Sequence, residues 1–324
     1  MEVYVKDYST WRTIKKATAL SSELFLDSLD KENSTMSVAG TGINRNDAGN
    51  WLIAEGNVYW ISQVKPKNEN TVLTLLSPLD AFSRKIPFVE QPADQTIGGF
   101  IAAMLQQNWC ECEDPVYALP YLTVSESDTA PFVLPEVDNA GLVDLPAYCR
   151  LVRRTYRIAV RFKVAGAKLQ CLIAAEKAAN RQVSFEDGRS QLKGIDYGTS
   201  GTAKITALQD GVASVWYLSE SGEISQDVPD RRAVGSWETI SISSGSDVVA
   251  RVAETFAKGR SGHKVEFMSE LDLAVLDDCK LFIHGEMLHS YISSKKKSSL
   301  DHRYQYKAGE LATKATEKIR GVIK

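Results

Sequence analysis

Several features that would assign a class of protein are scarce or missing in this 324-residue chain. No apolar run approaches the roughly 20 residues that a membrane-spanning helix needs. The segment Met1–Tyr8 lacks the basic-then-apolar layout of a signal peptide, so we expect no export by that route. A formal net charge of −3 gives no electrostatic reason for wrapping nucleic acid. Together these absences leave an ordinary globular protein made in a cytosol.

The five cysteines form no framework. They are scattered and odd in number, and the one close pair, Cys110 and Cys112, lacks the two-residue spacing of common zinc or redox pairs. We therefore predict that they are reduced and structural.

Catalytic motifs are missing as well. The sequence contains no G-x-S-x-G elbow, P-loop, G-x-G-x-x-G after a strand, or zincin helix. Cys279 lies near His284 and His289, but its place at the start of a strand favours a buried structural thiol. Clustered acidic residues fit turns and surfaces better than an acid–base pair: Glu186, Asp187, Asp227, Asp230, Asp277 and Asp278. We predict that the protein is not an enzyme and has no catalytic, cofactor-binding or metal-binding residues.

What the sequence does contain is a repeated pattern near its two ends. Trp51–Lys65 and Lys280–Lys295 each read as an apolar strand, a glycine turn at Gly56 or Gly285, and an alternating strand that ends in lysine. A further strand follows each one. This repeat predicts two small β-barrels that bracket a middle region.

The predicted fold class is β-rich α+β, with two small β-barrel domains flanking a mixed α/β middle region. We divide the chain into a barrel at residues 1–88, a helical and extended connector at 89–154, a strand-rich α+β domain at 155–243, a helix plus second barrel at 244–310, and a helical tail at 311–324. The expected barrel core positions are Trp51, Tyr59, Ile61, Leu73, Phe267, Phe282 and Ile292. The expected polar hairpin tips are Lys65–Asn70 and Lys295–Lys297.

Three helices are predicted from apolar positions spaced along one face. Asp94 is expected to cap the first, with Ile97, Phe100, Ile101, Met104, Leu105 and Trp109 on its buried side. Asp144 is expected to cap the second, which would bury Leu145, Tyr148, Leu151 and Val152. Ser244 or Ser246 is expected to cap the third, which would bury Val249, Val252, Ala253 and Phe256 and end at Gly259.

The middle region contains hairpin signals of its own. Ile158–Val164 and Leu169–Ile173 alternate around the turn Ala165–Ala167, and Asp210-Gly211 is a strong two-residue turn signal. Residues 113–141 contain four prolines and are expected to be extended connecting chain.

Three stretches resemble phage tail hub proteins: Trp51–Val64 followed by Thr71–Phe82, the block Val212–Ile224, and the closing Tyr304–Leu311. The chain is similar to the hub domain that begins siphophage tail-associated proteins and to the baseplate hubs of contractile tails. Members of that family form homotrimers in which two related barrels per subunit give a ring of approximate sixfold symmetry.

The resemblance implies a structural hub in the tail tip of a phage or prophage-derived particle, assembled in the bacterial cytoplasm. Its implied partners are two further copies of itself, a distal tail protein, a tape-measure protein and tail fibre or spike components, with DNA passing transiently through the ring. The barrel tips would face neighbouring subunits or the channel. Wall-degrading and receptor-binding activities would belong to a partner.

Two other classes remain open from the residues alone. One is a peptidoglycan hydrolase or peptidase with an unrecognised active site. The other is a carbohydrate-binding module, for which Trp216, Tyr217 and Trp237 are the candidate exposed aromatic residues.

Overall fold

The structure is a computed structural model that describes residues 1–40, 42–88, 94–135, 137–138, 140–197, 202–219, 223–230, 236–244, 248–258, 263–283 and 285–309. The predicted helical tail at 311–324, the cap Ser246 and the stop Gly259 lie outside these ranges. The chain forms two compact units. Unit 1 comprises Met1–Gln182, Ser269–Asp278 and Ser294–Gln305, and unit 2 comprises Val183–Met268, Cys279–Ser293 and Tyr306–Lys324.

Strands make up 53% of the structure and helices 15%, which confirms the β-rich α+β class. In the described part of the chain, no helix is both long and apolar enough to cross a lipid bilayer. The five-segment division stays a prediction.

A closed six-stranded barrel begins unit 1. Its strands are β1 (Glu2–Lys6), β2 (Thr13–Ser28), β3 (Ser34–Ala39), β4 (Trp51–Ala54), β5 (Asn57–Lys67) and β6 (Asn70–Leu76). They lie in the order β1-β4-β5-β6-β3-β2, and β1 pairs back with β2 to close the ring. Alternate residues such as Val3, Val5, Met36 and Val38 fill the interior because successive side chains point to opposite faces of a strand.

Three of the four predicted core positions of this first barrel are confirmed, and the position of Trp51 is wrong. Tyr59, Ile61 and Leu73 are buried inside it. Trp51 is also fully buried, but it packs outward against a second cluster, while its neighbour Leu52 packs inward. The turn between β4 and β5 places Glu55 at φ 49° and Gly56 at φ 77°, the left-handed pair that a two-residue hairpin requires.

A mixed layer packs on the outward face of β4 in unit 1. Its elements are β7 (Lys85–Pro87), α1 (Ile97–Leu105), β8 (Leu122–Ser127), β9 (Leu142–Asp144), α2 (Leu145–Tyr156), β10 (Ile158–Ala165) and β11 (Lys168–Ala175). Short 3₁₀ helices at Arg45–Asp47 and Pro78–Phe82 and a π-helical turn at Gln106–Cys110 accompany them. The predicted hairpin of β10 and β11 is confirmed, and β8 adds to it in parallel within the segment expected to be connecting chain.

Two details of the predicted helices in this layer are wrong. Thr96, not Asp94, caps α1, accepting a hydrogen bond from the Gly99 backbone N–H at 2.9 Å. Leu151 is 46% exposed on α2, and Cys149 is buried instead, because the buried stripe follows the helical spacing of Leu145, Tyr148, Cys149 and Val152. The cap by Asp144 is confirmed.

The remaining elements are β12 (Asn180–Ser184), β13 (Ser190–Tyr197), β14 (Thr202–Gln209), β15 (Val212–Leu218), β16 (Ile224–Ser225), β17 (Ser236–Ser241), α3 (Val248–Lys258), β18 (His263–Ser269), β19 (Asp278–Ile283), β20 (Glu286–Ser298) and β21 (Tyr304–Ala308). A small sheet in unit 2 has the order β16-β15-β14-β17. The helix α3 packs on it through Val252 and Phe256. Val249 was expected in this contact but is 55% exposed.

Parts of six strands in unit 2 form a second array in the order β12-β19-β20-β21-β18-β13. When the six strands of each set are numbered along the chain, both sets have the order 1-4-5-6-3-2. In the first set, pairing between the first and second strands closes the barrel. Among the described residues, the second set has no such pairing. The second array takes two strands from the segment 155–243 as well as four from 244–310.

The small sheet and α3 are inserted between the second and third strands of the second array. In the first barrel, the corresponding connection is the short turn after Ser28. The repeated hairpins at the two ends of the sequence are therefore the fourth and fifth strands of two sets with the same strand order.

Four of the core and tip predictions fall on strands of this array. Phe267 and Ile292 are buried as predicted. Phe282 is only half-buried, since its neighbours Leu281 and Ile283 occupy the inward positions of β19. Lys295–Lys297 is not a hairpin tip but the end of β20.

Candidate assembly surface

The tip of the β5–β6 hairpin is the exposed polar feature that the sequence predicted. Lys65, Pro66, Lys67, Asn68 and Glu69 are all exposed. The turn itself is at Asn68, which adopts φ 43°. In the described part of the chain, neither lysine has a carboxylate within ion-pair distance. This tip therefore presents two unneutralised positive charges at the end of a paired ribbon.

The second predicted tip is instead part of a paired ladder in unit 1. Ser294–Ser298 of β20 pairs with β2. Lys295 contacts Asp272 and lies 4.2 Å from the Tyr304 ring centroid.

The other two lysines of that run are paired as well. Lys296 Nζ is 2.6 Å from Glu23, and Lys297 Nζ is 3.4 Å from Glu55. The lysine run is thus neutralised by its neighbours and offers little free charge to a partner.

Two buried aspartates, Asp47 and Asp277, hold equivalent turns in the two strand sets. Each lies between the third and fourth strands of its set and is 2% exposed. Asp47 accepts the Asn44 N–H at 2.6 Å, and Asp277 accepts the Ala274 N–H at 3.0 Å. In both turns the aspartate N–H donates back to the carbonyl of the residue three positions earlier, at 2.9 and 3.1 Å.

A cation also binds each of these aspartates. Lys15 Nζ lies 2.6 Å from Asp47, and Arg181 Nε lies 3.2 Å from Asp277. The sequence prediction that Asp277 is a turn and surface residue is wrong on burial. The sequence could have identified these two aspartates as a pair, because each lies shortly before one of the two repeated hairpins.

An aromatic cluster joins the barrel to the mixed layer within unit 1. Trp51 Nε1 donates to the Tyr121 hydroxyl at 2.8 Å, and Tyr121 donates to the Tyr8 carbonyl. The rings of Trp11 and Tyr121 stack with centroids 5.1 Å apart. Burial raises the pKa of Tyr121, so its hydroxyl stays protonated and keeps its donor role.

An ionic cluster makes a second joint between α2 and the barrel. Arg153 binds Asp27 through two N–O contacts of 2.6 Å and Glu176 through two of 2.9 and 3.1 Å. Burial alone would lower the pKa of Arg153, but the bonds from Asp27 and Glu176 outweigh it and raise that pKa. Asp27 and Arg153 line a cleft of about 300 Å³.

The residues that the sequence analysis weighed for catalysis lie in different surroundings. Cys279 is buried, His289 is exposed, and His284 lies outside the described ranges. Glu186, Asp187, Asp227, Asp230 and Asp278 are exposed. No cluster of three potential metal-ligating side chains occurs among the residues that the structure describes.

The five cysteines are free thiols. Burial raises the pKa of Cys110 to about 11 and that of Cys149 to about 12. Thiolate is the nucleophilic form, so these residues act as small apolar groups at neutral pH.

The fold is similar to solved structures of phage tail proteins. A prophage tail protein, gp18, from Listeria monocytogenes EGD-e matches with a TM-score of 0.58 at 9% identity, covering 100% of this chain and 98% of that one. A tail protein from Neisseria meningitidis MC58 matches at 0.50 with 11% identity, covering 95% and 96%. The 43 kDa tail protein of prophage MuSo2 from Shewanella oneidensis matches at 0.50 with 13% identity, covering 96% and 99%.

No family model matches the chain, and no curated protein does. At these levels of sequence identity, the comparisons show a similar fold and no more. The similarity extends over nearly the whole chain.

Proposed function

We propose that the chain is a non-enzymatic structural hub protein of a phage or prophage-derived tail tip or baseplate. In this proposal three copies form a ring that joins the tail tube to distal tip components and surrounds the DNA channel. The observation that carries the proposal is the strand order 1-4-5-6-3-2, which occurs in both sets of six strands. Similarity of fold to phage tail proteins over nearly the whole chain supports it.

The physical reason is symmetry. A homotrimer presents every surface three times, whereas two equivalent modules per subunit present a similar surface six times. Such a ring would let a threefold tip meet a sixfold tube. Its partners would be a distal tail protein, a tape-measure protein and fibre or spike components, and it would belong to the virion.

We further propose that the Lys65–Asn70 tip faces a neighbouring subunit or the channel. Its lysines are free to meet a partner carboxylate or passing DNA, because neither is neutralised within the described chain. Lys295–Lys297 does not share this role, since its charges are already paired.

Mass measurement in solution tests the proposal. Light scattering coupled to gel filtration should give about three times the 35.8 kDa of one chain at micromolar concentration. A protein that stays monomeric as its concentration is raised would count decisively against a trimeric hub.

A further inference from the structure

The small sheet of unit 2 has one covered and one open face. Ile205 and Ala207 point to α3, and Trp216 packs in that same core. The opposite face is built from alternate residues of β14, β15 and β17. These residues are Lys204, Thr206, Leu208, Ala213, Val215, Tyr217, Trp237, Thr239 and Ser241.

One row of this open face combines two aromatic rings with a cation. Lys204 lies opposite Tyr217 on one side and Trp237 on the other. Its Nζ is 4.2 Å from the Trp237 ring centroid and 5.6 Å from that of Tyr217. We call these three residues the aromatic row.

The indole of Trp237 is exposed and yet fixed in position. Its Nε1 donates to Thr206 Oγ1 on the neighbouring strand at 3.0 Å, while Lys204 lies against the ring. The residue remains 65% exposed. The ring therefore lies toward β14, with Lys204 against it and most of the residue exposed. A ring held in advance loses little conformational entropy when a ligand stacks on it.

The charge pattern of the face selects the kind of ligand. Among its nine residues Lys204 is the single charged group, and no carboxylate lies within ion-pair distance of it in the described part of the chain. Thr239 and Ser241 place hydroxyl groups one and two rows further along the same face. A surface that tracks a nucleic acid backbone carries several cations, because each phosphate must be neutralised. One ammonium, an exposed indole ring and hydroxyls instead suit a sugar ring that bears an acidic group.

We propose that the aromatic row binds an anionic polysaccharide. One sugar stacks its C–H face on Trp237, and its carboxylate or phosphate pairs with Lys204. Of the three aromatic residues nominated from the sequence, Tyr217 and Trp237 lie on the open face and Trp216 lies in the core. This inference does not depend on the hub proposal.

Calorimetric titration of the full chain tests the inference. The probes are hexagalacturonate, its uncharged methyl ester and a hyaluronan hexasaccharide. We expect both acidic probes to bind wild-type protein and Trp237→Ala to weaken them about tenfold or more. Lys204→Met should reduce hexagalacturonate binding to the level of the methyl ester, because only the charge contact is lost.

Tyr117→Ala provides a matched control. Tyr117 is also exposed and lies under a cation, with Arg84 4.5 Å from its ring centroid. Its loss should leave binding unchanged. Unaltered thermal unfolding will show that each variant is folded.

Three results would overturn the inference. The first is no binding of either acidic probe at millimolar concentration. The second is binding that Trp237→Ala leaves unchanged. The third is tighter binding of an eight-nucleotide oligothymidylate that depends on Trp237, which would assign the row to single-stranded nucleic acid.

Discussion

At the residue scale, the clearest trace of the repeated architecture is a pair of buried carboxylates. Asp47 and Asp277 accept hydrogen bonds from the same relative backbone position and bind a cation each. A buried donor without an acceptor costs free energy, so each carboxylate is needed to keep its turn. Each turn directs the chain into the repeated fourth strand.

We expect Asp47→Asn and Asp277→Asn to lower the free energy of unfolding by about 1–3 kcal/mol each. The NH₂ group of asparagine would place a hydrogen-bond donor where backbone N–H groups now donate to a carboxylate oxygen. Urea unfolding followed by circular dichroism measures this loss. Asp278→Asn is the control because Asp278 is exposed, and a loss as large as that of Asp277→Asn would contradict the account.

Buried tyrosines predict how stability changes with pH. Burial raises the pKa of Tyr59 above its ordinary value, so the folded state holds this proton more tightly than the unfolded state. The stabilisation is complete below the unfolded pKa of about 10 and is lost as the pH rises above it. Tyr59 is a clean probe because its hydroxyl is buried and has no hydrogen-bond partner among the described residues.

Tyr59→Phe should therefore leave the unfolding free energy at pH 7 equal or slightly higher. Above about pH 10 the variant should lose stability less steeply than the wild type. Urea unfolding at a series of pH values measures both effects. An equal slope for the two proteins would contradict the assignment of this loss to Tyr59.

At the element scale, α2 meets the barrel through two neighbouring arginines whose ion pairs differ in burial. Arg153 is 12% exposed and binds two acidic partners, whereas the pair of Arg154 with Asp30 is largely exposed. Breaking a mostly buried ion pair leaves charges without compensation, while exposed pairs contribute little.

We expect Arg153→Met to destabilise the protein by about 2–3 kcal/mol, a range that allows for the partial exposure of Asp27. Arg154→Met on the next residue of the same helix should change stability by less than about 1 kcal/mol. Thermal and urea unfolding of both variants compare them directly. Equal losses would refute an anchoring role for Arg153.

Local sequence patterns predicted the positions of strands, turns and helix caps better than they predicted which distant residues these elements contact. The turns at Gly56 and Asp210-Gly211 and the cap at Asp144 follow from backbone chemistry within a few residues, and the structure contains all three. Lys295–Lys297 was misplaced because the pairing of β20 with β2 joins residues more than 260 positions apart. No local signal contains that contact, nor the aromatic–cation row that joins Lys204 and Trp237.

At the scale of the whole molecule, the strand order is the finding that sequence periodicity could only suggest. A hairpin repeat predicts two similar ribbons, but the shared order of six strands depends on long-range pairing. Insertion of a sheet and α3 between the second and third strands of one set hides the repeat along the sequence. The two strand sets thus share one topology, while the elements inserted between their strands differ.

Charge reversal at the free tip tests whether the tip takes part in assembly. Lys65→Glu with Lys67→Glu should weaken subunit association by about tenfold or more while leaving the thermal unfolding of the fold unchanged, because both lysines are exposed and unpaired. Analytical ultracentrifugation measures the association. Lys31→Glu, at an exposed lysine in another barrel turn, is the control. An unchanged association constant would place the tip away from the subunit interface.

The central claim is that two like strand sets per chain, repeated in three copies, make a ring. Electron cryomicroscopy of the purified protein tests it most directly. The account predicts a particle with true threefold symmetry in which six barrel-sized densities alternate around a central opening. A monomer, a dimer, or a ring with only three such densities would contradict it.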